Sequence, residues 1–185
     1  MPKSPGVARC RSAPQDAIVV RAASELDMAT VRSIYARYVL HSLATFEESP
    51  PTLDEMLARR QASVDSNLPY LVAQVGSEIL GFAYAVAYRP RPAYRFTVED
   101  SIYVAEGFGG QGIGSALLGD LIVRCERGSW RQMVAIVGDS DNSASIALHR
   151  RFGFELVGTL RSVGFKHGCW VDTPILQRGL GTAGR

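Results

Sequence analysis

The sequence predicts a single mixed α/β domain of the α+β type, and three features of its order carry that prediction. Three strand-like runs, 70–75, 79–88 and 94–104, follow one another with only turn signals or a stiff Arg-Pro-Arg-Pro link between them. A glycine-rich loop, 107–114, then runs directly into an apolar-striped helix. A strand, a helix and two closing strand-like runs complete the chain. Strands in succession followed by one strand–helix alternation give one mixed domain rather than a repeated βαβ pattern, and 185 residues suffice for one core.

The elements follow in order. Residues 1–17 are rich in Pro, Ser, Ala and Arg without periodicity and read as a mobile tail; the domain is expected over 18–180, with 181–185 as a short C-terminal tail. The β-branched run 18–21 reads as a first strand. Ser24 or Asp27 caps a helix over 28–41, where Val31, Ile34, Tyr35, Tyr38 and Val39 recur at helical spacing. Ser49-Pro50-Pro51 breaks the chain, and Thr52 with Glu55 forms a capping box for a second helix. Gly76-Ser77 turns the first strand-like run back on the second. The helix after the glycine loop carries Ile113, Leu117, Leu118, Leu121, Ile122 and Cys125 on one face and stops at Gly128. The continuous apolar run 132–137 is a buried strand. Asn142 caps a helix bearing Ile146, Leu148 and Phe152, which Gly153 ends. Runs 154–160 and 170–176 close the sheet.

Composition excludes several classes. A hydrophobic fraction of 46% and a charged fraction of 21% are globular values. The formal net charge is +2, and Lys3, Arg9, Arg11 and Asp16 of the tail account for all of it. A neutral body argues against a nucleic-acid binder. No apolar run approaches the roughly 20 residues of a membrane span, and the basic N-terminus lacks the apolar core of a secretory signal. Cys10, Cys125 and Cys169 form no Cys-x-x-Cys pair and no metal set with the three histidines, so reduced thiols in a cytoplasmic protein without a metal are expected.

The glycine loop is the first chemical signal. Free N–H groups at a helix N-terminus, the helix dipole and glycines that let the backbone approach together make an anion site. Gly109, Gly110, Gly112 and Gly114 exceed what a helix cap needs, so a phosphate ligand is the better reading. Gly107, Gly109 and Gly112 match the dinucleotide spacing G-x-G-x-x-G, but the loop follows an antiparallel meander in mid-chain, where that fingerprint does not belong. No Gly-Lys-Ser/Thr follows, which excludes a Walker loop. A different pyrophosphate ligand remains.

Val104, then Gly109-Gly110-Gln111-Gly112-Ile113-Gly114, resembles the acetyl-CoA pyrophosphate loop of the GNAT superfamily of N-acetyltransferases. Asn142-x-x-Ser145-Ile146-x-Leu148-His149, ending at Gly153-Phe154, resembles the same superfamily's second cofactor helix. Five further stretches resemble its phosphinothricin and methionine-sulfone or sulfoximine acetyltransferase branch. They are Thr45-Phe46-Glu47-Glu48, Arg89-Pro90-Arg91-Pro92-Ala93-Tyr94-Arg95, Thr97-Val98-Glu99-Asp100-Ser101, Gly138-Asp139-Ser140-Asp141-Asn142 and Gly164-Phe165-Lys166-His167-Gly168. The resemblance covers residues 18–177. Gly109 stands where the family usually has Arg or Gln. His149 stands where many members carry Tyr, an exchange typical of this branch.

The resemblance implies a GNAT-like fold, a central twisted, mostly antiparallel mixed sheet flanked by helices, and a homodimer. It implies acetyl-CoA as co-substrate, held by Ile102, Tyr103 and Val104, by the loop Gly109, Gly110, Gln111, Gly112, Ile113 and Gly114, and by Asn142 and Ser145. The implied activity is direct acetyl transfer to the α-amino group of a small amino acid or analogue, with no acyl carried on Cys125 or Cys169. Glu99 is the implied general base, ahead of Asp100. Strand alternation puts Val98, Asp100 and Ile102 on one face and Glu99, Ser101 and Tyr103 on the other, without saying which faces the substrate. The implied oxyanion donor is a backbone N–H near Val104. His149 either donates to the departing sulfur, orients a water, or is a partly buried polar group on a helix face. Arg89, Arg91 and Arg95 beside Tyr94 suit a substrate carboxylate and a second polar group, or form a solvated basic loop. Phe46, Glu47, Lys166 and His167 complete the pocket, or the last two cap a turn before Gly168. An acyl-CoA-sensing module, a dinucleotide oxidoreductase and a protein acetyltransferase are the rival readings.

Overall fold

The computed structural model describes residues 17–181, so Cys10 and nearly all of both expected tails lie outside the described residues. Seven strands form one sheet in the order β1-β2-β3-β4-β5-β7-β6. They are β1 (Val19–Ala22), β2 (Tyr70–Val75), β3 (Glu78–Ala87), β4 (Thr97–Val104), β5 (Gln132–Ile136), β6 (Glu155–Lys166) and β7 (Cys169–Gly179). Every neighbouring pair is antiparallel except β4 and β5, which run parallel. Four α-helices flank the sheet: α1 (Met28–His41), α2 (Leu53–Asp65), α3 (Ile113–Glu126) and α4 (Ser143–Arg151).

Two apolar layers hold this together. On one face, Leu117, Leu118 and Leu121 of α3 pack with Ala83, Val98, Met133 and Leu176 of the sheet, and Ile146 and Leu148 of α4 join them. On the other, Val31, Tyr35 and Val39 of α1 and Met56 of α2 pack on Val72, Phe82 and Tyr103. α3 therefore buries all six residues of the stripe that its sequence spacing defined, and α1 buries Val31, Tyr35 and Val39 of its own. The capping box of α2 forms as expected: the Thr52 hydroxyl accepts from the Glu55 N–H at 3.2 Å, and the Thr52 N–H donates to Glu55 Oε2 at 2.6 Å.

The structure corrects the third and the last two strand-like runs. The 94–104 run begins later, at Thr97, because Pro92–Tyr94 form a 3-10 turn started by the fixed φ of proline. The closing runs 154–160 and 170–176 are halves of one longer hairpin. Its turn is His167-Gly168, with φ +50° and +78°, the paired positive angles of a two-residue hairpin loop. Pairing shifts between Leu156 and Gly158 and between Leu160 and Gly164, which interrupts the alternation that would have marked the strand in sequence.

The position of β4 matters most for the site. Its pairing with β5 runs from Thr97↔Gln132 to Asp100↔Ala135 and stops there, whereas its pairing with β3 continues to Val104↔Gly81. Beyond Asp100 the two parallel strands diverge, and a fork opens between β4 and β5.

Candidate active site

Two cavities lie on opposite faces of β4. The larger, about 680 Å³, fills the fork and is lined by Ile102, Tyr103 and Val104, by Gly109, Gly110, Gly112 and Gly114, and by Asn142, Ser145 and His149. The second, about 350 Å³, lies on the α1–α2 side and is lined by Tyr35, Tyr70, Phe82 and Tyr84 with Arg59 and Glu99. Ser101 belongs to both linings. Successive side chains of a strand point to opposite faces, so Asp100 lines the fork while Glu99 lines the aromatic cavity.

The loop is built as an anion cradle. Gly112 is the N-cap of α3 at φ +89°, a left-handed conformation that side chains rarely adopt. Its carbonyl accepts from the Ala116 N–H at 2.9 Å. Gln111 is exposed and donates back to the Gly107 carbonyl at 3.0 Å, and Ile113 is buried in the core, so neither side chain lines the fork. At Gly109 an added Cβ would meet nothing within 4 Å, so the loop has room for the Arg or Gln found in the family pattern. Asn142 caps α4, its side-chain oxygen accepting from the Ser145 N–H at 3.2 Å.

The fork also holds residues that the sequence did not single out. The Tyr38 hydroxyl donates to the Val104 carbonyl at 2.7 Å and accepts from the Val104 N–H at 3.2 Å. The expected oxyanion donor thus carries a tyrosine hydroxyl in this structure. Arg151, at the end of α4, donates to the Ser115 hydroxyl at 2.7 Å on the lining of the fork. Both pairings join segments far apart in sequence, and no local spacing announces them.

His149 is buried, and both ring nitrogens have partners: Asp100 Oδ2 at 3.0 Å from Nε2, and the Ser145 carbonyl at 2.8 Å from Nδ1. Burial works against the imidazolium, but the hydrogen bond and charge of Asp100 and the Ser145 carbonyl outweigh it, so the pKa is raised. Glu99 is raised above the ordinary carboxylate range, chiefly by burial; the Arg89 guanidinium opposes the shift and Asp100 adds to it. Cys125 is buried, which pushes its thiol up to about 12 and leaves it unreactive. Cys169 is exposed, with its thiol on the Lys166 carbonyl at 3.2 Å.

The substrate-side expectations divide. Arg89 stacks over Tyr88 at 4.7 Å and acts electrostatically on Glu99. Arg91 and Arg95 stay exposed on the β3–β4 connection, with Arg95 over Phe96 at 4.6 Å, and neither they nor Tyr94 line the aromatic cavity. Glu47 is paired with Arg59, at 2.7 and 3.2 Å, and accepts from the Tyr35 hydroxyl at 2.8 Å. Arg59 is therefore the cation on the cavity wall, and in sequence it is indistinguishable from a solvated helix arginine. His167 sits exposed in the hairpin turn, the second of the two roles open to it.

Lys166 is buried and spends its ammonium on the main chain, donating to the carbonyls of Ser42 and Thr45 at 2.8 and 2.7 Å. It ties the end of β6 to the segment after α1. Lys166→Met should therefore lower stability by about 2–3 kcal/mol, the scale of charge-assisted bonds lost with their acceptors left buried. Urea unfolding reads this; unchanged stability together with a raised amine KM would instead assign Lys166 to substrate.

The Phe46 ring lies against Gly164, where a Cβ would come within 2.5 Å of it. Gly164→Ala should displace that ring and lower stability by about 1–3 kcal/mol, the usual cost of an added methyl in a filled site. Urea unfolding checks the loss.

The comparisons with known proteins agree with this architecture. The Acetyltransferase (GNAT) family matches residues 32–154. The chain is 51% identical to a phosphinothricin N-acetyltransferase of Alcaligenes faecalis over 174 residues, 94% of this chain and 85% of that protein. It is 39% identical to an L-methionine sulfoximine/L-methionine sulfone acetyltransferase of Pseudomonas aeruginosa over 166 residues, 87% of this chain and 94% of that one. Among solved structures, a GNAT superfamily phosphinothricin acetyltransferase from Sinorhizobium meliloti in complex with AcCoA superposes with a TM-score of 0.86 at 46% identity, covering 89% of each chain. With its forked sheet, its glycine cradle and these relatives, the chain belongs to the GNAT acetyltransferase family, within the phosphinothricin and methionine sulfoximine acetyltransferase branch, and is an acetyl-CoA-dependent N-acetyltransferase.

Proposed function

We propose that the chain acetylates the α-amino group of a small amino acid of the phosphinothricin or methionine sulfone type, by direct attack within a ternary complex. The supporting observation is that the glycine-cradled fork and the aromatic cavity with Glu99 lie on the two faces of one strand and share Ser101. Donor and acceptor can then occupy separate cavities that meet at one point, without an acyl carrier.

In this reading the loop N–H groups and Arg151 hold the pyrophosphate, and Asn142 and Ser145 hold the pantetheine amides. Glu99 takes the proton from the substrate ammonium, directly or through a water, and its raised pKa brings it closer to the working pH of a base. Arg89 attracts the substrate carboxylate. The aromatic cavity takes the side chain, with Arg59 at its wall. The Val104 N–H serves the oxyanion by giving up the Tyr38 hydroxyl to which it donates here. The reaction belongs in the cytoplasm, where acetyl-CoA is made and used.

The partner is a second copy of the chain. β6 is an edge strand, and Leu156, Val157, Leu160, Val163 and Phe165 on it, with Trp170 on β7, are all exposed. A long apolar edge of this kind is otherwise a liability. Sedimentation at micromolar concentration tests this, and a monomer there rules the dimer out.

The test of function is thiol release from acetyl-CoA with phosphinothricin, methionine sulfone, methionine sulfoximine and common amino acids. Amine-dependent release with one or more of them is expected. Acetyl-CoA binding without amine-dependent release from any of them would overturn this reading in favour of a sensing module or a protein acetyltransferase.

A further inference from the structure

Asp100 and His149 form the most deeply buried ion pair among the described residues, with their side chains 1% and 5% exposed. The hydrogen bonds constrain its protons. A carbonyl oxygen only accepts, so Nδ1, at 2.8 Å from Ser145 O, carries a proton. Nε2 lies 3.0 Å from Asp100 Oδ2, and the hydrogen bond and charge of Asp100 favour a second proton on the ring. Both ring nitrogens are engaged, so neither is free toward the fork. Asp100 Oδ1 has no protein partner although it is buried.

The location gives the pair its purpose. Asp100 is the last residue of β4 paired with β5, at the root of the fork. His149 lies on α4, whose first turn presents Asn142 and Ser145 to the same fork. Ile146 and Leu148 seat α4 on the apolar core, and among the described residues this buried side-chain hydrogen bond is the polar link between α4 and β4. We infer that Asp100 is a positioning residue for acetyl transfer: it fixes the His149 ring, and through it the groove-lining face of α4, against β4 at the root of the fork. This rests on the reading that the fork carries acetyl-CoA.

The groups around the ring are few. Asp100 comes from β4, the Ser145 carbonyl and hydroxyl from α4 at 2.8 and 3.5 Å, and the Phe154 edge from beyond α4 at 5.0 Å. Cys125 of α3 lies beside Asp100 and is neutral, and Arg178 of β7 stands 6.0 Å over the Phe154 ring. Asp100 is thus the formal charge bonded to the imidazolium. Without it, burial dominates and the ring loses its second proton at lower pH.

Three variants test this: D100N, H149Q and the double variant. In the unmodified protein, 15N shifts followed against pH should place the His149 titration above that of an ordinary imidazole; a titration at or below the ordinary value overturns the inference whatever the variants do. In D100N the ring should titrate at lower pH, the alkaline limb of kcat should move down with it, and the KM for acetyl-CoA should rise about tenfold, mid-range for coupled side chains. In the H149Q background the same change should add nothing further. An unmoved ring titration in D100N, or an undiminished effect of D100N beside H149Q, overturns the inference. Absence of thiol release with every amine would overturn the proposed function, while the ring titration would still read the pair.

Discussion

Glu99→Gln should lower kcat by about 10²–10⁴-fold, the usual span for losing a positioned general base, and leave the KM for acetyl-CoA unchanged. The split follows from the strand: Glu99 lines the aromatic cavity and not the fork. The pH dependence carries the sign. Burial raises the Glu99 pKa, with Arg89 opposing, so kcat/KM of the unmodified enzyme should rise with pH through that elevated value as the carboxylate forms. The Gln variant should lack this acid limb. Stability should move the other way. A carboxyl group whose folded pKa is raised favours the folded state below its unfolded pKa, and this contribution is lost as pH rises through the folded pKa. At neutral pH the buried charge is therefore a cost, and Glu99→Gln should raise the melting temperature while it removes activity. Unchanged turnover and an unchanged pH profile would remove Glu99 from the role of base.

How far the sequence reached can be followed residue by residue. β1, the start of α3 and the Asn142 cap were legible because each rests on local chemistry: a β-branched run, a glycine N-cap, a side-chain oxygen three residues from the N–H it accepts from. The β6–β7 hairpin was cut short because two register shifts and a glycine at 164 erase the period of two. In the site, the loop and α4 were legible for the same local reason. Tyr38, Arg59 and Arg151 were not. The Tyr38–Val104 bond spans 66 residues, Arg151–Ser115 spans 36, and Arg59 is recognisable only once Glu47 lies beside it. Alternation gave two faces of β4 without saying which cavity each lines; that depends on α1 and α2, which place Tyr35, Met56 and Arg59 in one cavity with Glu99. Sequence leaves Lys166 open between the pocket and a turn before Gly168, because it does not show the carbonyls of Ser42 and Thr45, more than a hundred positions away, to which Lys166 donates.

Gly112→Glu should bring acetyl-CoA binding below detection by calorimetry, and the size of the loss separates two causes. Space is not one of them, because a Cβ at this position meets only Ile18 Cδ1 at an ordinary 3.7 Å. Conformation is the first. At φ +89° an L-residue costs about 1–2 kcal/mol, so Gly112→Ala alone should weaken binding, if the strain is relieved by reshaping the loop, by about tenfold. Charge is the second. The N-terminus of α3 offers unpaired N–H groups and the positive end of a dipole, worth up to about 2 kcal/mol to an anion. A carboxylate tethered there takes that site for itself and repels the incoming pyrophosphate. The two effects together reach about 3 kcal/mol, on the order of a hundredfold in affinity. Because the strain and the charge act in a surface loop and not in the apolar layer beneath α3, near-UV circular dichroism should remain that of the folded protein. Acetyl-CoA affinity retained in Gly112→Glu would mean that the pyrophosphate does not lie on this helix terminus, and the assignment of the fork to the co-substrate would fall with it.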